Sequence, residues 1–207
     1  MSYRLVVITN PTETREADTV KTVRAALAGG ADCVQLRKKG LSDRAFFRLA
    51  QKLLGETTKA GARLVVNHRV DVAVAVDADG VHLGWRSMSV DEARRLTGED
   101  TLVGVSCHTV EEALDAAEAG ASYIFAGPVF DTPSKRGLVS PIGIEGLRRI
   151  RAGVSMPVIA IGGVTAENAH SLIEAGAFGV AVIRAVMDAP DPAEATTELR
   201  RRINEAR

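Results

Sequence analysis

The chain has 207 residues with 26 Lys+Arg, 26 Asp+Glu and 46% hydrophobic residues. Zero formal net charge argues against binding to nucleic acid or a membrane surface through a basic field. The apolar content excludes a disordered chain, no apolar run approaches the ~18 residues of a membrane span, and the N-terminus has no cleavable signal pattern. Cys33 and Cys107 form neither a disulfide framework nor a metal-binding spacing. We expect a cytoplasmic protein with a single domain over residues 1–207.

Short apolar segments alternate with helical stretches along the chain. Strands are predicted to lie near residues 5, 33, 64, 80, 102, 123, 158 and 179. These segments are rich in β-branched residues with little polar alternation, which is typical of strands buried on both faces. Helices are predicted between or after them over residues 16–28, 43–59, 90–96, 110–119, 144–151, 166–174 and 192–204.

A small motif recurs before four of the strands. Gly30-Ala31, Gly120-Ala121 and Gly176-Ala177 precede strands directly, and Asp77-Ala78 takes the same place before another. Glycine suits the left-handed residue that ends a helix. Eight strand–helix units of about 26 residues each predict an α/β fold, a (β/α)₈ TIM barrel. A doubly wound open sheet is the alternative, but no Gly-x-Gly-x-x-Gly follows the first strand.

The segments that follow the predicted strands carry many cations. In such barrels the active site forms at the carboxyl ends of the strands. Asp131 is the only carboxylate in those segments, against seven cations: Arg37, Lys39, Arg69, Arg86, Lys135, Arg136 and Arg184. This balance predicts an anionic ligand, most simply a phosphate ester or pyrophosphate. The alternative for any one of them is a solvated surface cation.

The seventh predicted strand ends in Gly162-Gly163. Barrels commonly bind phosphate on the loops after strands seven and eight, where glycines let backbone N–H groups approach the oxygens. We therefore predict a phosphate site at Gly162 and Gly163, with Val182, Ile183 and Arg184 as its second wall. The alternative is a tight turn without a ligand.

Gln35, Arg37 and Lys39 are spaced by two, so a strand directs all three side chains to one side. Three polar groups in a barrel mouth are costly unless they meet a ligand. His82 and His108 end strands four and five and could transfer protons, although such residues are more often structural. Cys107 alternates with its neighbours and is predicted to pack in the core.

These segments together resemble the superfamily of thiamine phosphate synthases and TenI-like thiazole tautomerases, and look closer to the TenI-like branch. The resemblance rests on residues 34–39 (VQLRKK), 67–73 (NHRVDVA), 80–84 (GVHLG), 104–109 (GVSCHT), 127–135 (GPVFDTPSK) and 159–165 (IAIGGVT). The family is a (β/α)₈ barrel that handles thiazole phosphate.

The resemblance implies a substrate-binding set: Gln35, Arg37, Lys39, Asn67, Ser106, Thr132, Ser134 and Lys135. The synthase branch joins a hydroxymethylpyrimidine pyrophosphate to thiazole phosphate, expels pyrophosphate, and holds Mg²⁺ with two aspartates. His68 and Ser87 stand at those two positions here, and Arg86 replaces a glutamate. Mg²⁺ requires hard oxygen ligands, so we expect no metal or other cofactor unless the chain is nevertheless a synthase.

The tautomerase branch needs no metal, because it only shifts a proton on a carboxythiazole phosphate. Its catalytic histidine is replaced here by Pro128, so His108 or His68 would have to supply the acid–base step. Our main expectation is a metal-independent thiazole phosphate tautomerase that binds a small phosphate ester. The alternatives are an Mg²⁺-dependent thiamine-phosphate synthase and a non-catalytic binding or regulatory homologue; a homodimer, and a lid formed by residues 127–143, are left open.

Overall fold

The computed structural model describes residues 4–11, 16–84, 86–133 and 139–206. Eight parallel strands close into a barrel in the order β1-β2-β3-β4-β5-β6-β7-β8, which confirms the predicted (β/α)₈ TIM barrel and excludes the open sheet. The strands are β1 Leu5–Ile8, β2 Cys33–Leu36, β3 Arg63–Asn67, β4 Gly80–Leu83, β5 Leu102–Cys107, β6 Tyr123–Ala126, β7 Val158–Ile161 and β8 Gly179–Val182.

Helices surround the barrel in the positions that its connections require. In the described ranges they are α1 Glu16–Ala28, α2 Asp43–Lys59, α3 Val70–Val76, α4 Val90–Thr97, α5 Val110–Glu118, α6 Gly143–Gly153, α7 Ala166–Glu174, α8 Arg184–Met187 and α9 Pro192–Glu205. Two were not predicted. The α3 sequence VDVAVAV has the alternation of a strand, but two neighbouring parallel strands need a crossover between them. The four residues of α8 are too few to show a helical period. None of the described helices is long and apolar enough to cross a membrane.

The recurring Gly-Ala motif ends helices as predicted. Gly30, Gly120 and Gly176 have φ angles of 98°, 83° and 96°. Asp77 stands in the fourth copy with φ 58° and is the left-handed C-cap of α3. The left-handed residue is therefore retained in all four copies, even where the glycine is not.

Two apolar layers stabilise the barrel. A large cluster fills the space between strands and helices, and a smaller one fills the barrel itself: Val6, Ile8, Cys33, Val65, Tyr123, Phe125, Ile159 and Ala181. Gly104 makes room for the largest inner side chain, since a Cβ there would lie 2.1 Å from Cζ of Tyr123. This inner layer closes the barrel below the carboxyl ends of the strands, where the polar residues begin.

Candidate functional site

Polar side chains occupy the inward positions of four consecutive strands. Cys33 of β2 and Val65 of β3 belong to the inner cluster, so strand alternation turns Gln35 and Asn67 to the same side. Asn67 pairs in register with His82 of β4, and His82 contacts Ser106 of β5. The facing half of the barrel presents apolar inward side chains instead, including Phe125, Ile161 and Ile8. The polar half is where a ligand can be recognised.

His82 organises the centre of this polar half. Its Nδ1 lies 3.2 Å from the Tyr123 hydroxyl and its Nε2 lies 3.0 Å from Oγ of Ser106. Burial, and to a lesser extent the charges of His68 and Arg37, lower the pKa of His82 to about 3. The imidazole is therefore neutral near pH 7 and serves as a fixed hydrogen-bonding group, which agrees with the structural interpretation of this histidine.

Gln35 presents an unsatisfied donor to the barrel mouth. The residue is 2% exposed, and its buried Nε2 has no hydrogen-bond partner among the described residues. A buried amide without a partner costs about 1–3 kcal/mol. An acceptor on a ligand would remove that cost, so this orphaned donor supports the placement of Gln35 in the substrate-binding set.

Arg37 lies two residues after Gln35. Its backbone is held by Thr9, which directly follows the neighbouring strand β1. The buried Thr9 hydroxyl accepts a hydrogen bond from the Arg37 N–H and donates one to the Arg37 carbonyl, each 2.9 Å long. The guanidinium is half-buried, and no group in the described ranges pairs with it, while burial lowers its pKa. Thr9 is a positioning residue that sequence reasoning missed; its only signal was its place directly after β1.

His68 and Ser87 occupy the two positions at which the resemblance places magnesium carboxylates. His68 Nδ1 and Ser87 Oγ are hydrogen-bonded to each other, and Ser87 Oγ also accepts the Gly84 N–H at 3.0 Å. Within the described ranges no group of three or more His, Cys, Asp or Glu side chains is placed to hold a metal ion. An imidazole and a hydroxyl that bind each other do not fit the hard oxygen site that Mg²⁺ needs, so these residues do not support a magnesium site.

One predicted rim cation has a structural role instead. Arg69 bonds to Asp43 at 2.8 Å and to Asp71 at 2.7 and 2.9 Å, and its guanidinium carbon lies 5.6 Å from the ring centre of Phe46. These carboxylates raise the pKa of Arg69. Its charge is already compensated, so Arg69 adds little to an anion site.

His108 lies at the end of β5 beside the β6 loop. Its Nδ1 donates to the Gly127 carbonyl, which leaves Nε2 unprotonated in the neutral ring. Gly127 directly precedes Pro128, so the His108 ring lies next to the position that the tautomerase histidine would occupy. Cys107 points the other way, into the outer core, as predicted, and burial raises the pKa of its thiol to about 12.

The predicted phosphate set is brought together at the ends of β7 and β8. Gly162 and Gly163 have φ angles of 97° and 67°, and a Cβ on Gly162 would lie 2.5 Å from Cα of Pro128. In the described part of the chain, no backbone hydrogen bond uses the N–H groups of Gly162, Gly163, Ile183 or Arg184. Val182 is buried in the outer core, so only its backbone faces this corner. Four unpaired amides on adjacent strands suit phosphate oxygens.

The remaining predicted residues are less well placed or lie outside the described ranges. Lys39 and Arg184 are exposed at the rim. Thr132 is 7% exposed and lies in the loop between β6 and α6. Ser134 and Lys135, predicted to bind substrate, fall outside the described residues. The assembled part of the site therefore consists of Gln35, Arg37, Asn67 and Ser106 on one side and the β7–β8 amides on the other.

A (β/α)₈ barrel with cations and free backbone amides at the carboxyl ends of its strands belongs to a class built to hold phosphorylated small molecules. Comparison with known proteins identifies the family within this class. The family profile described as "Thiamine monophosphate synthase" matches residues 5–186, and the chain belongs to this family.

Relatives match over most of the chain. The thiamine-phosphate synthase of Roseiflexus castenholzii is 48% identical, covering 93% of this chain and 85% of that protein. That of Chloroflexus aurantiacus is 46% identical, covering 97% and 92%. A solved structure, a thiamine phosphate pyrophosphorylase from Pyrococcus furiosus, superposes with a TM-score of 0.90 at 41% identity, covering 99% and 96%. These similarities support the family but not the TenI-like branch that the sequence motifs favoured.

Proposed function

We propose that this protein is a thiamine-phosphate synthase, which joins a pyrimidine pyrophosphate to thiazole phosphate with release of pyrophosphate. The observation that carries the proposal is the similarity, at 46–48% identity over more than nine-tenths of the chain, to proteins named for that reaction. The tautomerase expectation therefore takes second place.

The geometry supports two separate anion positions in one mouth. The unpartnered guanidinium of Arg37 and the orphaned amide of Gln35 lie at the end of β2 and suit a substrate with a polar ring and a pyrophosphate. The free amides of Gly162 and Gly163 at the end of β7 suit the phosphate of the other substrate. Two phosphorylated substrates need two such positions, whereas a tautomerase needs one.

The test is a direct synthase assay with both substrates. Thiamine phosphate is measured as fluorescent thiochrome after oxidation, once with Mg²⁺ and once with EDTA. We expect many turnovers per protein and a large loss in Arg37→Gln, while Arg95→Gln, an exposed arginine of α4 paired with Asp91, keeps full activity. Absence of product, from protein shown by thermal shift to bind thiazole phosphate, would contradict the proposal.

Thiazole tautomerisation is the second candidate, because His108 has a free Nε2 next to Pro128. Such a reaction needs one group that takes a proton and returns it at another position. If it occurs here, His108→Gln lowers turnover of the unstable carboxythiazole phosphate by about 10²–10⁴-fold, and EDTA has no effect. Equal turnover by His108→Gln and the unaltered protein would remove this histidine from the mechanism.

A further inference from the structure

The pair formed by His68 and Ser87 fills the place of the missing carboxylates with neutral groups. Gly84 shapes this corner, because a Cβ on it would lie 2.8 Å from Cε1 of His68. The Gly84 N–H also holds Ser87 Oγ at 3.0 Å. His68 adopts φ 62°, a left-handed conformation that non-glycine residues rarely take. The ring is thus held in place by backbone and hydroxyl contacts, with no carboxylate oxygen available from either position.

The charges around this pair are positive. Burial lowers the pKa of His68, and the charges of Arg37 and Lys39 lower it further, so both cations lie within electrostatic reach of the imidazole. The two carboxylates contacting the neighbouring Arg69 are Asp43 and Asp71, and that arginine occupies both. A divalent cation placed here would meet the positive charges of Arg37 and Lys39, while Asp43 and Asp71 already pair with Arg69.

An anion meets the opposite situation. The Arg37 guanidinium is half-buried without an ion-pair partner in the described ranges, and a partly desolvated unpaired charge is costly. A pyrophosphate group would compensate this charge, and a guanidinium can bind two of its oxygens at once. Lys39 adds a second positive charge from the exposed edge of the same strand end.

We infer that this protein binds its pyrophosphate group without a divalent cation, with Arg37 and Lys39 providing the positive charge and the His68–Ser87 pair closing the former metal position. The identity of the substrate that carries the pyrophosphate rests on the proposed function. The cation-free anion site does not, because it follows from the residues alone.

Binding of inorganic pyrophosphate, measured by titration calorimetry, tests this inference through the sign of the Mg²⁺ effect. Mg²⁺ complexes pyrophosphate in solution, so it weakens binding to a protein that takes the free anion and strengthens binding to one that takes the metal complex. We expect pyrophosphate to bind in EDTA. We expect added Mg²⁺ to weaken this binding or leave it unchanged. Arg37→Gln should weaken it at least tenfold, and the distant Arg95→Gln should leave it unchanged.

A variant with both carboxylates restored tests whether the metal dependence of pyrophosphate binding can be reversed. In His68→Asp/Ser87→Asp, we expect Mg²⁺ to strengthen pyrophosphate binding and Mn²⁺ to give a bound signal in electron paramagnetic resonance that the unaltered protein lacks. The inference is overturned if the unaltered protein binds pyrophosphate only with Mg²⁺, or binds it under neither condition. These results on the unaltered protein decide the matter even if the double variant does not fold.

The calorimetry and the synthase assay separate the two proposals. Product formed only with Mg²⁺, together with pyrophosphate binding only with Mg²⁺, would support the synthase function and overturn the cation-free site. Pyrophosphate binding in EDTA that depends on Arg37, together with no product, would retain the anion site and reject the function. Product formed in EDTA supports both.

Discussion

The Thr9 hydroxyl bonds to both the N–H and the carbonyl of Arg37, at 2.9 Å each. This bridge joins the end of β1 to the residue that follows β2, and it fixes the backbone from which the unpartnered guanidinium extends. A single hydroxyl thereby positions the main charge of the predicted anion site.

Replacing Thr9 by Val keeps the shape and removes this bridge. The Arg37 N–H and carbonyl then lose their partner in a buried place, so we expect the free energy of unfolding to fall by about 1–3 kcal/mol. We also expect pyrophosphate affinity to fall several-fold, because Arg37 is less well oriented. Urea unfolding and calorimetry measure the two effects. Thr9→Ser retains the hydroxyl and should restore both; unchanged affinity in Thr9→Val would show that the bridge does not position Arg37.

Gly162→Ala should destabilise the barrel mouth in two ways, through backbone strain and through a steric clash. Its φ of 97° disfavours a side chain, and the new Cβ would lie 2.5 Å from Cα of Pro128. Gly61→Ala is the matched control, since Gly61 has φ 66° with nothing within 4 Å of its Cβ position. We expect about 1–2 kcal/mol of lost stability in the control and a clearly larger loss, with weaker thiazole phosphate binding, at Gly162. Equal losses in thermal unfolding would contradict the contact.

The low pKa of His82 predicts a specific pH dependence of stability. The pKa is about 3 in the folded protein against an ordinary value near 6.5. Between those values the unfolded chain holds a proton that the folded one does not, so the free energy of unfolding falls as pH falls below 6.5. One such proton contributes a slope of about 1.4 kcal/mol per pH unit, and His68, whose pKa is also lowered, adds to it.

Urea unfolding between pH 5 and 6.5 isolates the contribution of His82. In His82→Gln, the slope of the unfolding free energy against pH should fall by close to the value for one proton, about 1.4 kcal/mol per pH unit. Tyr123→Phe removes the 3.2 Å contact to Nδ1 but keeps the imidazole, so it should lower stability while retaining the slope. An unaltered slope in His82→Gln would place the proton uptake elsewhere.

The two cysteines should be inert in the folded protein. Both are buried, and burial raises the pKa of the Cys33 and Cys107 thiols far above neutrality. Because the thiolate is the reactive form, we expect no fast reaction with a disulfide reagent in buffer and two equivalents in urea. Rapid modification of the native protein would show that one thiol is accessible.

Much of the architecture could be predicted because local sequence patterns indicate its strands and helix ends. The eight strands are apolar runs buried on both faces, and the left-handed residues at Gly30, Gly120 and Gly176 mark the strand starts. Helix α3 was missed because its VDVAVAV sequence alternates like a strand, and only the closure of the barrel makes it a helix. Tertiary context overrides local preference there.

The sequence placed several residues of the candidate site at the barrel mouth but did not predict how they pair with one another. Strand alternation gave Gln35 and Arg37, and the double glycine gave the phosphate corner. No sequence rule showed that Thr9 would bridge Arg37, that Arg69 would be neutralised by Asp43 and Asp71, or that His68 would bond to Ser87. All of these contacts except Arg69–Asp71 join residues 19 to 28 positions apart in the chain. The sequence motifs favoured the TenI-like branch, which the relatives do not support over the synthase.

The order of the strands has one more consequence for the mouth. The free amides at the ends of β7 and β8 and the guanidinium after β2 stand on either side of β1, whose last inward side chain is Ile8. Neighbouring strands lie about 4.8 Å apart, so the two positions are roughly 10–15 Å apart. At that distance, two unit charges repel each other by about 0.3–0.4 kcal/mol at the dielectric of bulk water and by about 1–2 kcal/mol at that of a protein surface. Two phosphorylated molecules can therefore bring their uncharged ends together over the Ile8 side chain, with one charged group at the β7–β8 amides and the other at Arg37.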